Sequence, residues 1–266
     1  MHEAVVPCAC TIAGSDSGGG AGLQADCKTF SAFGVWGATV VTAVTAQTSC
    51  AVRGIHLLSP EFVTLQMQAV FDDLPIRAVK TGMLGSAAIC RAVAEGLPRD
   101  VLLVVDPVMV ATSGDRLLGD GAVEAIVSGL LPKATVVTPN LAEAAVLAGT
   151  GAIRSTEGMR EAALAILELG PEFVVVKGGH LGGETSPDFL AGPGYRQVLP
   201  ARRLPHDVHG SGCCFSAALA ACLARGEAVP ESVTRAKSFV TAAIAHKVRG
   251  RCGGTMVNPT NLDCYR

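Results

Sequence analysis

The feature that most restricts the fold is a regular exchange, from residue 76 onward, between short strands that are apolar along their whole length and helices carrying one apolar stripe. Strands at 76–80, 101–105, 134–138 and 173–177 are each joined to helices at 86–95, 121–130, 141–148 and 156–169. A strand with no polar alternation has both faces covered, and a strand-helix-strand repeat returns each strand parallel to the last. The sequence therefore predicts an α/β protein with a mostly parallel central sheet and helices on both faces. Upstream, a buried strand at 5–13 runs through the turn-rich stretch from Gly14 to Gly20 into a helix at 21–33. Strands at 36–46 and 52–58 then precede a helix opened by Ser59-Pro60-Glu61. Beyond Gly178-Gly179, short alternating pieces at 186–190 and 197–199 read as antiparallel strands at one edge, and helices at 213–224 and 230–248 close the fold.

No linker or charge block interrupts this pattern, which predicts a single domain over 1–250 followed by a poorly ordered tail at 251–266. Composition removes several classes of function. Lys and Arg number 21 against 23 Asp and Glu, so the chain lacks the basic excess of a general nucleic-acid binder. Only 4% of residues are aromatic, too few for open base-stacking platforms. Met1-His2-Glu3 does not begin a signal peptide and no apolar run reaches spanning length, so the expected location is the cytoplasm, with no membrane partner. Of the ten cysteines, Cys8, Cys10, Cys27, Cys90 and Cys222 sit in apolar runs and read as small core residues; with 49% hydrophobic residues the core needs no disulfides, and no cysteine set has zinc spacing.

In an open parallel sheet, ligands bind beyond the carboxyl ends of the strands. Polar residues fall there repeatedly: Asp16, Gln47, Lys80-Thr81, Asp106, Asn140 with Glu143, and Lys177. The segment His209-Gly210-Ser211-Gly212-Cys213 precedes a helix of small residues, and consecutive amides at such a helix start form an anion-binding concavity. Gly-Ser-Gly alone would equally suit an ordinary glycine-rich cap. Neither glycine segment ends in Gly-Lys-Ser/Thr, and Gly14-Ser15-Asp16 does not open a dinucleotide fingerprint, which disfavours both common nucleotide folds.

Taken together, the stretches Thr11-Ile12-Ala13-Gly14-Ser15-Asp16, Gly19-Gly20-Ala21-Gly22-Leu23-Gln24-Ala25-Asp26, Lys80-Thr81-Gly82-Met83-Leu84, Val105-Asp106-Pro107-Val108-Met109, Thr138-Pro139-Asn140, Lys177-Gly178-Gly179-His180 and the segment from His209 to Ser216 resemble the phosphomethylpyrimidine kinase family, within the ribokinase-like superfamily. The resemblance implies phosphorylation of a hydroxymethylpyrimidine and then of its monophosphate, with ATP and Mg2+, toward thiamine, by an enzyme that is commonly a homodimer. It implies substrate contacts at Gly14, Ala21, Asp26, Gln47, Met83 and Val108. Gly210, Ser211, Gly212 and the Cys213 amide would hold the transferring phosphoryl group, with Lys177 opposite. Asp106 and Glu143 would reach magnesium through water, beside an orienting Asn140.

The resemblance matches Cys213 to the family's thiol at the start of the penultimate helix, which resembles the position of an aspartate base in sugar kinases of the superfamily. The helix start and its amides are expected to favour thiolate, which bound nucleotide phosphates would oppose. Two departures stand out. The family's Gly-His-Gly-x-Gly-Pro tail is replaced by Arg251-Cys252-Gly253-Gly254-Thr255, leaving a role for the tail in doubt, and Asp16-Ser17-Gly18 replaces Asp-Pro-Ser. Pyridoxal or pyridoxine kinase is the alternative enzyme. A silent metabolite-binding regulator is the alternative of another class, against which the intact set Lys177, Asp106, Glu143 and Cys213 argues.

Overall fold

The computed structural model describes residues 6–109, 121–204 and 208–260. Met1 to Glu3, Val5 and the last six residues of the tail lie outside them, so the readings made there have no structural counterpart.

Nine strands form one sheet in the order β3-β2-β1-β4-β5-β6-β7-β8-β9. Its parallel centre is β2 (Trp36–Gln47), β1 (Cys8–Asp16), β4 (Ile76–Thr81), β5 (Leu102–Val105), β6 (Val136–Val137) and β7 (Phe173–Lys177). The expected antiparallel edge is present as β8 (Asp188–Gly192) and β9 (Tyr195–Leu199). A second antiparallel edge was not anticipated: β3 (Val52–Leu57) folds back on β2 as a hairpin. Its loop, Thr48-Ser49-Cys50-Ala51, has none of the glycine or asparagine that marks a tight hairpin turn in sequence.

Alternation along each central strand feeds two cores. On β5, Leu103 and Val105 face one layer and Val104 the other; on β7, Val174 and Val176 oppose Phe173 and Val175. The first layer is built by α2 (Pro60–Asp73), α3 (Ala87–Gly96), α4 (Ala122–Gly129), α5 (Leu141–Leu147) and α6 (Thr156–Leu167), the second by α1 (Gly22–Ala32), α7 (Ser211–Ala224) and α8 (Val229–Ala245). Every residue of α7 from 214 to 224 is buried, which explains its small, apolar, stripe-free composition: it is a core helix packed between sheet and α8.

Three sequence expectations need correction. First, β1 does not stop at residue 13. It passes through a bulge between Ala13 and Gly14 and continues to Asp16, so the glycine there serves a strand irregularity and not yet a turn. Second, the tail contains regular structure: β10 (Val248–Arg249) and β11 (Thr255–Met256) make a hairpin. Third, Cys50 and Cys252 form a disulfide, Cα atoms 6.3 Å apart, between the β2–β3 loop and that hairpin. The composition suggested no need for it; the loop it closes spans 202 residues, and a cross-link constrains the unfolded chain more the longer that loop.

Candidate active site

The carboxyl ends of the parallel strands open on one cavity of about 510 Å³. Because the strands are parallel, their ends bring Asp16, Gln47, Lys80, Asp106, Asn140 and Lys177 to one rim.

At one end the wall is a narrow slot. Gly14 lies under Met83, whose Sδ would be 3.2 Å from any Cβ placed at residue 14, so a side chain there would fill the gap. Gln47 stands beside it within a polar chain. Thr45 Oγ1 lies 2.9 Å from the Ser15 carbonyl and 3.1 Å from Gln47 Oε1, and His209 Nε2 lies 3.0 Å from Gln47 Nε2 and 3.1 Å from Asp16 Oδ2. One ring nitrogen cannot at once accept from the Gln47 amide and donate to Asp16, so the tautomer of His209 decides which of the two it holds. Asp16 is buried, which by itself would raise its carboxyl. Bonds from His209 and from the amides of Gly18 and Ala21 overcome that and hold it below the ordinary carboxylate range.

At the other end stands the start of α7. Gly210 is its N-cap, with φ +86°, and a Cβ there would fall 1.7 Å from the Gly20 carbonyl; only glycine fits. The first intrahelical bond runs from the Cys214 N–H to the Gly210 carbonyl, so the amides of Ser211, Gly212 and Cys213 precede the ladder and face the cavity end. The helix thus opens two residues earlier than expected. The tail supports this loop directly: the His209 N–H donates to the Thr255 carbonyl, the Val257 N–H donates to the His209 carbonyl, and Met256 packs on Gly20.

Cys213 faces this cavity between two helix starts, since the Gly22 N–H at the head of α1 also points at its sulfur. The residue keeps some exposure, but the thiol is surrounded by protein, and burial pushes its pKa up to about 11. Lys80 pulls it down, while Asp26 and Asp106 add to the rise. The expected shift toward thiolate is therefore reversed, because desolvation of a buried sulfur outweighs the amides and the helix start.

Between these ends lie the charges. Lys177 Nζ is 2.9 Å from Asp106 Oδ1 and would be 3.1 Å from a Cβ on Gly212, so that glycine keeps the ammonium against the amides of α7. Asp106 also accepts from the hydroxyls of Ser216 at 3.1 Å and Thr138 at 3.4 Å. Burial works against the Lys177 charge, but Asp106 and Glu143 outweigh it and raise its pKa. Asn140 caps α5: its Oδ1 accepts from the Glu143 N–H, and Glu143 Oε2 accepts from the Asn140 N–H. Burial lifts Glu143 to about 7, opposed by Lys177 and reinforced by Asp106. Two buried carboxylates that repel each other suit a hard divalent cation. Both already accept protein hydrogen bonds, which fits contact through water better than direct ligation. No cluster of three His, Cys, Asp or Glu side chains able to hold a metal occurs among the described residues.

Gly14, Ala21, Gln47, Met83, Val108, Asp106, Asn140, Glu143, Lys177, Gly210, Ser211, Gly212 and Cys213 all line the cavity. Asp26 does not. It is sealed beneath the floor, its Oδ2 accepting from Lys80 Nζ at 2.7 Å and from the Thr11 hydroxyl at 2.6 Å, and it cannot touch substrate directly. Lys80 and His209 are the functional candidates that sequence reasoning passed over. Lys80 stood among the strand-end polar residues and His209 next to the glycines, but neither was given a role.

This fold, with one cavity running from a glycine-capped core helix to a slot at the far strand ends, is that of a ribokinase-like phosphotransferase. The phosphomethylpyrimidine kinase family matches residues 16–260, and the chain belongs to it. It is 50% identical over 239 residues to the hydroxymethylpyrimidine/phosphomethylpyrimidine kinase of Rhizobium meliloti, covering 89% of this chain and 90% of that one. The Escherichia coli protein of the same description is 43% identical over 240 residues, with 89% and 90% covered. Among solved structures, the ADP complex of Bacillus subtilis pyridoxal kinase superposes with a TM-score of 0.89 at 34% identity over 97% of this chain and 99% of that one. Phosphomethylpyrimidine kinase from Clostridium difficile gives 0.78 at 42% identity, with 89% and 99% covered. No helix among the described residues is long and apolar enough to cross a membrane.

Proposed function

We infer that the protein is an ATP-dependent kinase that phosphorylates 4-amino-5-hydroxymethyl-2-methylpyrimidine and then its monophosphate, giving the diphosphate used in thiamine biosynthesis. The observation that carries this reading is the single cavity that joins free helix-start amides beside Cys213 to the Gly14–Met83 slot and Gln47. ATP with magnesium, when bound, supplies the phosphoryl group and part of the charge neutralisation.

The chain's own residues do the positioning. Met83 and Gly14 clamp a flat ring, and the Gln47 carboxamide offers a donor and an acceptor to an aminopyrimidine edge. The amides of Ser211, Gly212 and Cys213 are aimed at phosphoryl oxygens, and Lys177 stands close enough to add its charge. Asp106 and Glu143, through water, suit magnesium. The Cys213 thiol faces the same space, and as a base it must be deprotonated against the cost of its burial.

A coupled assay with the alcohol and the monophosphate, each with ATP and magnesium, tests the reading; turnover of neither defeats it. The structural likeness to pyridoxal kinase favours a second reading, in which the slot also admits a pyridine with a hydroxymethyl arm. Pyridoxal in the same assay decides between them by kcat/KM, with a pyrimidine preference expected from Gln47.

A further inference from the structure

Asp16, His209, Gln47 and Thr45 form one chain of polar contacts, and counting protons along it assigns every donor and acceptor. The oxygen and nitrogen of a carboxamide have nearly the same shape, so the groups around Gln47 decide which end faces which neighbour.

Both ends give the same answer. At one end, the Thr45 hydroxyl stands 2.9 Å from the Ser15 carbonyl, which can only accept, so its single proton points there. The carboxamide atom 3.1 Å from Thr45 Oγ1 must then donate, and is the Gln47 nitrogen. At the other end, Asp16 Oδ2 accepts from the Gly20 and Ala21 amides and lies 3.1 Å from His209 Nε2. Asp16 is held ionised, so it accepts from the ring as well, and Nε2 carries a proton. The carboxamide atom 3.0 Å from that nitrogen must accept, and is the Gln47 oxygen. The opposite placement, nitrogen toward His209 and oxygen toward Thr45, would set an N–H against an N–H at one end and leave the oxygen facing a hydroxyl with no spare proton at the other. One orientation alone satisfies all four side chains.

The imidazole is itself firmly placed. The His209 N–H donates to the Thr255 carbonyl, its own carbonyl accepts from Val257, and Asp16 is held further by the Gly18 amide on Oδ1. Gln47 and His209 both line the cavity. A carboxamide pinned in this way keeps one N–H and one lone pair for a ligand, each in a fixed place. That order suits a ring whose amino group stands beside a ring nitrogen. A pyridine with a hydroxymethyl arm has no such neighbouring pair, and a site built for two hydrogen bonds rejects a ligand that lacks one. A carboxamide free to turn over would lose that discrimination.

We propose that His209, held by Asp16, is a positioning residue that pins the Gln47 carboxamide with its oxygen toward the imidazole and its nitrogen toward Thr45, and so sets the preference for an aminopyrimidine over a pyridine. The inference rests on the function proposed above. The test compares His209→Phe, which keeps a ring but removes the N–H, with His209→Gln, whose amide N–H can take the place of Nε2–H; a thermal melt verifies folding. In His209→Phe, KM for the hydroxymethylpyrimidine is expected to rise about tenfold, with KM for ATP unchanged and the inhibition constant of pyridoxal as a competitor changed much less; His209→Gln should recover most of the loss. An unchanged KM for the pyrimidine, or a KM for ATP that rises in step with it, overturns the proposal, the latter because it marks a general disturbance of the start of α7. If the Phe variant does not fold, a neutron structure of the wild-type protein decides. Deuterium on His209 Nε2 with the Gln47 oxygen beside it supports the proposal, and the Gln47 nitrogen in that place overturns it. A wild-type enzyme that phosphorylates no pyrimidine defeats the functional reading itself, an outcome distinct from a carboxamide found the other way round.

Discussion

Two lysine–carboxylate pairs stand near the carboxyl ends of parallel strands in the same sheet, Lys80–Asp26 and Lys177–Asp106, with nitrogen–oxygen distances of 2.7 and 2.9 Å. In the first, neither side chain has any exposure; in the second, Lys177 keeps 15%. Asp106 is embraced by two hydroxyls as well as its lysine, whereas Asp26 keeps one oxygen unmet. Burial raises the Asp26 carboxyl while Lys80 draws it down; the pair stays charged because neutralising either member would leave the other's charge alone in a dry interior. Identical chemistry thus takes on two roles, a sealed fixture whose loss is felt by the fold and an open pair whose lysine can exchange partners.

The sharpest way to break this contrast is to remove one member from each pair. Asp26→Ala should destabilise the protein by about 3–5 kcal/mol, since it leaves a buried ammonium uncompensated; urea unfolding measures it, and a loss under about 1 kcal/mol would show the pair is not sealed. Lys177→Met should destabilise the protein less than Asp26→Ala does, because Asp106 keeps its two hydroxyl donors, while kcat falls about 10²–10³-fold, as for removal of one preorganised transition-state contact. A large melting shift with modest kinetic loss would erase the distinction.

Cys213 sharpens it from the side of chemistry. Its thiol, pushed up to about 11 by burial, is protonated at neutral pH. If it serves as base, the rate of alcohol phosphorylation should climb about tenfold per pH unit from 7 to 9, while transfer to the monophosphate, whose oxygens are already ionised, stays flat. Cys213→Ala should accordingly cost the first reaction about 10²-fold and the second much less. A flat profile for both, with equal modest losses, would leave the thiol as packing only.

What could be read from the chain before folding follows the range of the forces involved. The parallel centre was legible because apolar runs such as Val101 to Val105 and Phe173 to Val176 carry their burial in local sequence. The glycine-capped start of α7 was legible because Gly210 stands directly before the helix it caps. Asp26 was misread because its partner, Lys80, lies 54 residues away and no local pattern reports a buried pair. The Cys50–Cys252 disulfide spans 202 residues, and the backbone bonds by which the tail supports His209 are likewise long-range, so no local pattern reports either. The Cys213 shift was missed for a related reason: helix starts are visible in sequence, but the depth of desolvation is not.

A third pair, Asp16 with His209, lies between the other two, since the His209 side chain keeps 13% exposure. The Asp16 pKa is depressed in the folded protein, so its contribution to stability is present above the unfolded value, near 3.9, and is lost as the pH falls through the lower folded value. Asp16→Asn should therefore lower the urea midpoint at pH 6 and leave it close to wild type at pH 2.5, the smallest of these effects because part of the favourable bonding comes from the Gly18 and Ala21 amides, which an asparagine oxygen can still partly accept. Raising salt should shrink the pH 6 difference somewhat, since this pair is partly open, and leave the Asp26→Ala difference untouched. A salt response of equal size at both positions would mean that depth in the sheet does not separate the pairs, and the assignment of sealed and open roles would have to be redrawn.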